Sequence, residues 1–295
     1  MPEMPDNFFL LLFDTIQRDS VISFPMLGNL TIDPPAYITV FGRNIYLYGI
    51  VIGLGFLIAI LFCSANAKKF SLKSDNVYDV ILFVMPIGIL GARAYFVAFQ
   101  WDYYSLHPNE LLAFWNGGLA IYGGIIAGVI TLLIVCKVKK IKPFAMLDLI
   151  IMGLLIGQIF GRWGNFFNRE AFGAETGIFC RMGLTDPSGN TIFVHPTFLY
   201  ESLWNLCIFI FLCVLLKKNR RKYDGHFTLL YFLLYGIGRF WIEGLRTDSL
   251  YIGHTDIRVS QLLAAILVVF SAVMLIINRK KSFPQEMTDT AEKEA

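Results

Sequence analysis

The stretch Tyr122-Gly123-Gly124-Ile125-Ile126-Ala127-Gly128-Val129-Ile130-Thr131-Leu132-Leu133-Ile134-Val135-Cys136, followed at once by Lys137-Val138-Lys139-Lys140-Ile141-Lys142, decides the fold class. An uncharged run that begins at Phe114 ends in a cluster of four lysines. About 20 apolar residues cross the hydrocarbon core of a bilayer as a helix, and a short basic loop stays on the cytoplasmic side. Six more segments read the same way: Ile45–Cys63, Val80–Phe99, Phe144–Phe160, Phe198–Leu216, Phe227–Leu245 and Val259–Ile277. Lys68, Lys69 and Lys73 follow the first segment; Lys217, Lys218, Arg220, Arg221 and Lys222 follow the fifth; Arg279, Lys280 and Lys281 follow the seventh. Every second loop is basic. That alternation predicts an all-α polytopic membrane protein of about seven helices, N-terminus outside and C-terminus cytoplasmic.

Composition agrees. Of 295 residues, 56% are hydrophobic and only 16% charged, against roughly a quarter charged in a soluble domain. The mean hydropathy is +0.60. A net charge of +3 is small and says little about nucleic acid; with no run of basic and aromatic residues to suggest a nucleic-acid surface, no nucleic-acid partner is expected. The five cysteines, Cys63, Cys136, Cys180, Cys207 and Cys213, show neither a disulfide framework nor metal-ligand spacing. No metal or other cofactor is implied. The chain reads as one integral membrane domain over 1–295. It has an outer N-terminal segment (1–44), a long extracytoplasmic loop (161–196) and a disordered cytoplasmic tail (282–295). Met1 to Asp19 lacks a basic leader region and reads as interfacial, not as a cleaved signal. The turn-rich Thr185-Asp186-Pro187-Ser188-Gly189-Asn190 predicts a small hairpin in the outer loop.

With this topology all lysines are cytoplasmic, whereas Arg18, Arg43, Arg93, Arg162, Arg169, Arg181, Arg239, Arg246 and Arg258 lie outside or in the outer membrane. Anchoring alone would use both residue types. Arginine alone points to a planar fork that grips carboxylate or phosphate. Glycines spaced by four, at Gly49/Gly53, Gly124/Gly128 and Gly153/Gly157/Gly161, predict close helix packing. The run Gly117-Gly118-Leu119-Ala120-Ile121-Tyr122-Gly123-Gly124 suggests a loosened helix start at which a ligand meets the backbone of Gly123 and Gly124.

Three constellations carry chemistry. Gly161-Arg162-Trp163-Gly164-Asn165-Phe166-Phe167-Asn168-Arg169-Glu170-Ala171-Phe172-Gly173 reads as glycines stopping the fourth helix, with Arg162, Asn165, Asn168 and Glu170 set at the outer interface. Polar groups are costly beside hydrocarbon, which favours a site over a snorkelling anchor. Arg239, Glu243 and Arg246 share one face of the sixth helix, where Glu243 neutralises and orients Arg239. His195-Pro196-Thr197-Phe198-Leu199-Tyr200-Glu201 opens the fifth helix, with His195 and Glu201 near the outer surface. Arg93, near the outer end of the second helix, is a candidate member of the same cluster.

Together these motifs resemble the hallmark pattern of the prolipoprotein diacylglyceryl transferases. The match comprises Gly-Arg-x-Gly-Asn-Phe-x-Asn-x-Glu-x-x-Gly at 161–173, Gly117–Gly124, His195 to Glu201, and Arg239-Phe-Trp-Ile-Glu243-Gly-Leu-Arg246, in the family's order. The resemblance implies transfer of the diacylglyceryl group of phosphatidylglycerol to the lipobox cysteine thiol of a prolipoprotein. It implies a bacterial inner membrane location and an extracytoplasmic site. It makes Arg162 and Arg239 the essential arginines, with Asn165, Glu170, Glu243 and Arg246 in the same set. Many members carry a histidine where this chain has Tyr122, so a universal histidine base is in doubt, and Tyr122 and His195 are the candidates to assist the thiol. A transporter or anion channel would also use intramembrane arginines, although no internal repeat supports it. A CDP-alcohol type transferase would want clustered aspartates, and none are present.

Overall fold

The computed structural model describes residues 20–251 and 255–283. The readings made for Met1 to Asp19, Arg18 included, and for the tail from 284 onward lie outside the described residues. In chain order the elements are β1 (Val21–Phe24), β2 (Leu30–Ile32), β3 (Tyr37–Val40), β4 (Arg43–Tyr46), α1 (Leu47–Asn66), α2 (Ser74–Phe99), α3 (Ile121–Val138), α4 (Pro143–Asn168), β5 (Met182–Thr185), β6 (Thr191–Val194), α5 (Thr197–Lys217), α6 (His226–Leu245) and α7 (Val259–Ile277). Among the described residues six helices are long and apolar enough to cross a membrane: Leu47–Phe70, Ser74–Phe99, Ile121–Val138, Pro143–Asn168, Thr197–Lys217 and Val259–Lys280. The protein is a polytopic membrane protein. The segment expected at 227–245 is also a helix, α6, but it is not among those six. Arg239 and Glu243 lower its mean hydropathy.

The chain forms two compact units, one from the described parts of 1–59 and 151–293, the other from 60–150. In the second, α2 packs along α3 at a closeness that only glycine permits. A Cβ on Gly123 would lie 2.3 Å from the Tyr95 Cβ and 2.5 Å from the Gly91 carbonyl oxygen, and one on Gly91 would lie 2.2 Å from the Ala127 Cβ. Gly124 meets Ala92 at 3.5 Å and Gly128 meets Val84 at 3.6 Å. Close packing thus holds for Gly124/Gly128. It does not extend to Gly49, Gly53, Gly157 or Gly161, where an added Cβ would meet no atom within 4 Å among the described residues. The third helix starts at Ile121, not Phe114. Gly117 (φ +87°) and Gly118 (φ +70°) turn the chain just before it, a backbone region that β-carbon sterics otherwise disfavour.

The first unit is not purely helical. Four antiparallel strands in the order β2-β1-β5-β6 form a sheet, which corrects the all-α expectation. The predicted hairpin is β5–β6. Asp186 accepts the Asn190 amide through Oδ1 at 2.9 Å and the Gly189 amide through its carbonyl at 3.0 Å, a local side-chain turn that sets the register. β1 adds from the N-terminal segment: Val21-Ile22-Ser23-Phe24 is rich in strand-favouring residues, and Ile22 faces the core opposite Leu184. Ile22, Met182, Leu184 and Val194 form a buried cluster with Phe166 of α4 and Phe198 of α5. In the same unit α6 is pinched between α5 and α7. A Cβ on Gly238 would meet the Trp204 indole nitrogen at 2.1 Å, and one on Gly236 would meet Val268 Cγ2 at 2.8 Å.

Because Gly123 abuts backbone and Cβ atoms that cannot swing away, Gly123→Leu is expected to destabilise the α2–α3 pair by about 1–3 kcal/mol or more. Gly128→Ala, whose new methyl reaches only ordinary contact distance, should be nearly neutral. Thermal unfolding of the two variants in detergent checks the contrast.

Candidate active site

Three guanidiniums from two helices converge on one carboxylate. Glu201, on the first turns of α5 and buried, receives Arg162 Nη2 of α4 on Oε2 at 2.5 Å. Its Oε1 accepts Arg239 Nη1 of α6 at 2.9 Å and Nη1 of Arg246, just past that helix, at 3.3 Å. Arg239 also pairs through Nη2 with Glu243, one turn along α6 and itself buried. Arg246 grips Asp248 with a two-bond fork, Nε to Oδ1 at 2.9 Å and Nη2 to Oδ2 at 2.6 Å. Tyr235, one turn before Arg239, lies within electrostatic reach of Arg239, Glu201, Arg162 and Glu243. Isolated charges are expensive away from water, so the set persists only because every member has an opposite partner.

The pairing is uneven. Three guanidiniums share two deeply buried carboxylates, Glu201 and Glu243, since the Asp248 side chain remains 48% exposed. Among the arginines, the Arg162 side chain is the most accessible at 22%, against 16% for Arg239 and 10% for Arg246. The inner set therefore carries surplus positive charge, with its most open member at Arg162.

Helix α4 does not stop at Gly161 as the sequence suggested; it continues to Asn168. Gly161 and Gly164 are helical positions, and Gly164 is bare because a Cβ there would lie 2.7 Å from the Tyr48 ring. The extra turns place Arg162 and Asn165 at i and i+3, and Arg162 Nη1 donates to Asn165 Oδ1 at 3.4 Å. Asn165 Nδ2 donates to Glu170 Oε1 at 2.8 Å, and Asn168 Nδ2 donates to the same oxygen at 3.3 Å. Glu170 returns to this position because the chain reverses at Arg169 (φ +54°) and Ala171 (φ +56°). Both are non-glycine residues in a region that costs roughly 1–3 kcal/mol each unless the surroundings enforce it.

Arg169 supplies the enforcement. Its buried guanidinium donates to the Ser20 carbonyl at 2.5 Å, to Asp33 Oδ1 at 2.6 Å, to the Pro34 carbonyl at 2.9 Å and to the Phe167 carbonyl at 3.3 Å. The next residues are held between the start of α5 and the end of α6. The Gly173 amide donates to the His195 carbonyl at 2.9 Å, His195 returns a bond to Ala174 at 3.1 Å, and the Ala174 amide donates to the Leu245 carbonyl at 2.7 Å. Thr197 Oγ1 donates to the Ala171 carbonyl at 2.5 Å. A Cβ on Gly173 would lie 2.7 Å from the His195 Cβ and 2.8 Å from the Leu245 carbonyl. The last glycine of the 161–173 motif is thus where two other site elements close on the backbone.

His195 has a buried Nδ1 with no hydrogen-bond partner among the described residues. Burial holds its pKa below the usual histidine value, so its imidazole is neutral at neutral pH. Arg93 has a different occupation. Buried in α2, it donates to the carbonyls of Glu110 at 2.6 Å, Leu111 at 2.9 Å, Gly117 at 2.9 Å and Gly118 at 3.0 Å, which ties down the segment leading into α3. Gly123 is directed at α2, and Tyr122 is half-buried beside it on the first turn of α3. Arg93, Tyr122, Gly123 and Gly124 belong to the 60–150 unit, and the Glu201 cluster belongs to the other.

Tyr235 and Asp248 were not named in the sequence reading, Arg169 entered it only as one of the outer arginines, and Glu201 was placed near the outer surface without a partner. The signal for Glu201 was present, because a lone carboxylate in an apolar helix demands a buried partner. Nothing in the sequence pairs Arg169 with Asp33, 136 residues away.

Replacing Glu201 by Gln leaves three guanidiniums with one deep carboxylate. The expected loss is about 3–5 kcal/mol of stability, read from unfolding in detergent, whereas Asp248→Asn should cost no more than about 1 kcal/mol. Burial acts to raise the Asp248 pKa, but the Arg246 fork more than offsets it and holds the carboxyl below its usual value. A depressed native pKa stabilises above the unfolded pKa, and the effect fades as pH falls through the native value. The stability gap between the parent and Asp248→Asn should therefore be full at neutral pH and vanish only below the ordinary carboxylate range.

Residues 35–277 match the family described as prolipoprotein diacylglyceryl transferase. A phosphatidylglycerol–prolipoprotein diacylglyceryl transferase of Finegoldia magna is 45% identical over 243 residues, covering 82% of this chain and 94% of the relative. Proteins of the same name from Lactobacillus acidophilus (41% identical, covering 88% of this chain and 95% of the relative) and Streptococcus uberis (42%, 85% and 96%) are similar over comparable lengths. With its arginine-bearing motifs inside the matched span, the chain belongs to the prolipoprotein diacylglyceryl transferase family.

Proposed function

We propose that the protein transfers the diacylglyceryl group of phosphatidylglycerol to the thiol of the lipobox cysteine of a prolipoprotein, forming a thioether and releasing glycerol phosphate. One observation carries the site assignment: three guanidiniums share two deep carboxylates, with Arg162 the most open of them. Surplus positive charge in a poorly hydrated place suits a lipid phosphodiester, which bears a single negative charge.

The chemistry needs what arginines supply. The sulfur–carbon bond forms as the carbon–oxygen bond to phosphate breaks, and the electron pair leaves on the phosphate oxygen. A phosphodiester with one charge becomes a monoester approaching two. Fixed guanidiniums therefore bind the transition state more strongly than the ground state. In this reading Arg162 and Arg239 flank the phosphate, Glu243 keeps Arg239 in position, and Arg246 supports both through Glu201. Asn165, Asn168 and Glu170 form the polar edge beside Arg162 and contact the glycerol headgroup. The thiol must lose a proton, and free cysteine titrates at about 8.5. His195, whose Nδ1 has no hydrogen-bond partner among the described residues, or alternatively Tyr122, is the group assigned to assist that loss. Arg93 acts by holding the 110–118 segment that leads into α3, while Gly123 and Gly124 serve the packing of α3 on α2.

The same reading places α6 as a seventh crossing. The lysine-rich loops then lie in the cytoplasm and the arginine cluster on the extracytoplasmic side of the bacterial inner membrane, where exported precursors present their lipobox.

Purified protein incubated with phosphatidylglycerol and a lipobox peptide should add one diacylglyceryl mass to the peptide. An unmodified peptide, under conditions where a known transferase modifies it, would defeat the assignment. Arg162→Ala and Arg239→Ala are each expected to lower kcat by about 10²–10³, which corresponds to ~2.7–4 kcal/mol of barrier. Near-normal turnover in Arg239→Ala would remove that residue from the phosphate. Unchanged pH–rate profiles in both His195→Asn and Tyr122→Phe would remove both as bases.

A further inference from the structure

The hairpin β3–β4 is separate from the four-stranded sheet. Its register pairs Tyr37 with Tyr46, Ile38 with Ile45, Thr39 with Asn44 and Val40 with Arg43. Side chains alternate across a strand, so one face carries Ile38, Val40, Ile45 and the Arg43 stem. The opposite face carries the Tyr37–Tyr46 edge-on pair, 5.8 Å between centroids, and Thr39 Oγ1 donating to Asn44 Oδ1 at 2.9 Å. Every strand residue is exposed on both faces. A two-stranded ribbon of this kind is marginal by itself in water.

Its tip sharpens the question. Phe41 (φ +50°) and Gly42 (φ +74°) make the left-handed turn that tight hairpins favour. Glycine suits that backbone, but a bulky aromatic there is a steric outlier. Phe41 is also 100% exposed. A strained position that presents a large apolar ring entirely outward has its contact beyond the protein. The base of the hairpin indicates what lies there: the Leu47 amide donates to the Ala36 carbonyl at 3.0 Å, and Leu47 is the first residue of a membrane-spanning helix. No linker separates the ribbon from the span, so the ribbon emerges at the bilayer surface.

We propose that β3–β4 is an interfacial wedge whose partner is the phospholipid bilayer itself. Phe41, Val40, Ile38 and Ile45 enter the boundary between acyl chains and headgroups. Tyr37, Tyr46, Asn44 and the Arg43 guanidinium remain at headgroup level, where tyrosine and snorkelling arginine are at home. This is the division of an amphipathic interfacial element, made here from a ribbon instead of a helix.

The test replaces Phe41 or, separately, Thr39 with the photoreactive p-benzoylphenylalanine in the full chain reconstituted into phosphatidylglycerol–phosphatidylethanolamine vesicles. After irradiation, mass spectrometry should find phospholipid adducts at position 41 severalfold more abundant than at position 39, which lies on the opposite face. An unchanged unfolding midpoint in detergent for both variants establishes that the fold is retained. Absence of lipid adducts at 41 in a folded variant, or equal adducts at both positions, would overturn the proposal. So would adducts at 41 that pass from lipid to a lipobox peptide when the peptide is supplied, since the hairpin would then be a precursor-docking surface.

Discussion

The carboxylate of Glu201 is the constraint on which the first unit depends. Three arginines reach it from α4 and from the end of α6, and none can be desolvated alone. Coulomb attraction in a medium less polarisable than water is strong enough to hold such a set, and the loss of hydration is large enough to make any missing partner costly. The backbone is arranged accordingly. Helix α4 runs past Gly161 to bring Arg162 within reach, α6 is thinned at Gly236 and Gly238 so that its neighbours can approach, and Gly173 lets the 171–176 segment pass between His195 and Leu245.

A second ionic knot holds the first in place. Arg169, buried and four times hydrogen-bonded, fastens the end of α4 to Ser20, Asp33 and Pro34. The left-handed backbone at Arg169 and Ala171 is affordable only because these bonds and the Thr197 bond to Ala171 fix it on both sides. The strain places Glu170 against Asn165 and Asn168 next to Arg162. The small sheet, seated on Phe166 and Phe198, gives this turn a rigid support. The N-terminal segment contributes to that support through β1, paired with β5.

For a reaction whose leaving group gains charge, a set of guanidiniums already oriented by carboxylates has an advantage over flexible cations. In the proposed reaction little reorganisation would be needed, because each guanidinium is already held by a carboxylate. Glu201 and Glu243 lower the cost of keeping arginines desolvated while leaving their total charge short of neutral. Both substrates of the proposed reaction are confined to the membrane, and the bilayer contact proposed for the β3–β4 ribbon would make it part of that environment.

The sequence by itself determined what depends on local composition and periodicity. Apolar runs of spanning length, lysine clusters after alternate runs and the Asp186–Asn190 turn announce helices and a hairpin because each acts over a few residues. The Arg239–Glu243 pair, one helical turn apart, was legible for the same reason. Helix ends were less so: Gly161 and Gly164 looked like terminators, but both are helical positions, and at Gly164 the Tyr48 ring lies where a side chain would be. Only the tertiary structure decided that Glu201 is the shared partner of Arg162, Arg239 and Arg246, that Arg169 reaches Asp33, that Arg93 binds backbone carbonyls, and that the N-terminal segment joins a sheet. These are pairings between residues far apart in the chain. Local propensity says nothing of them, because a charge's partner is set by which helices come together and by the cost of leaving it unpaired.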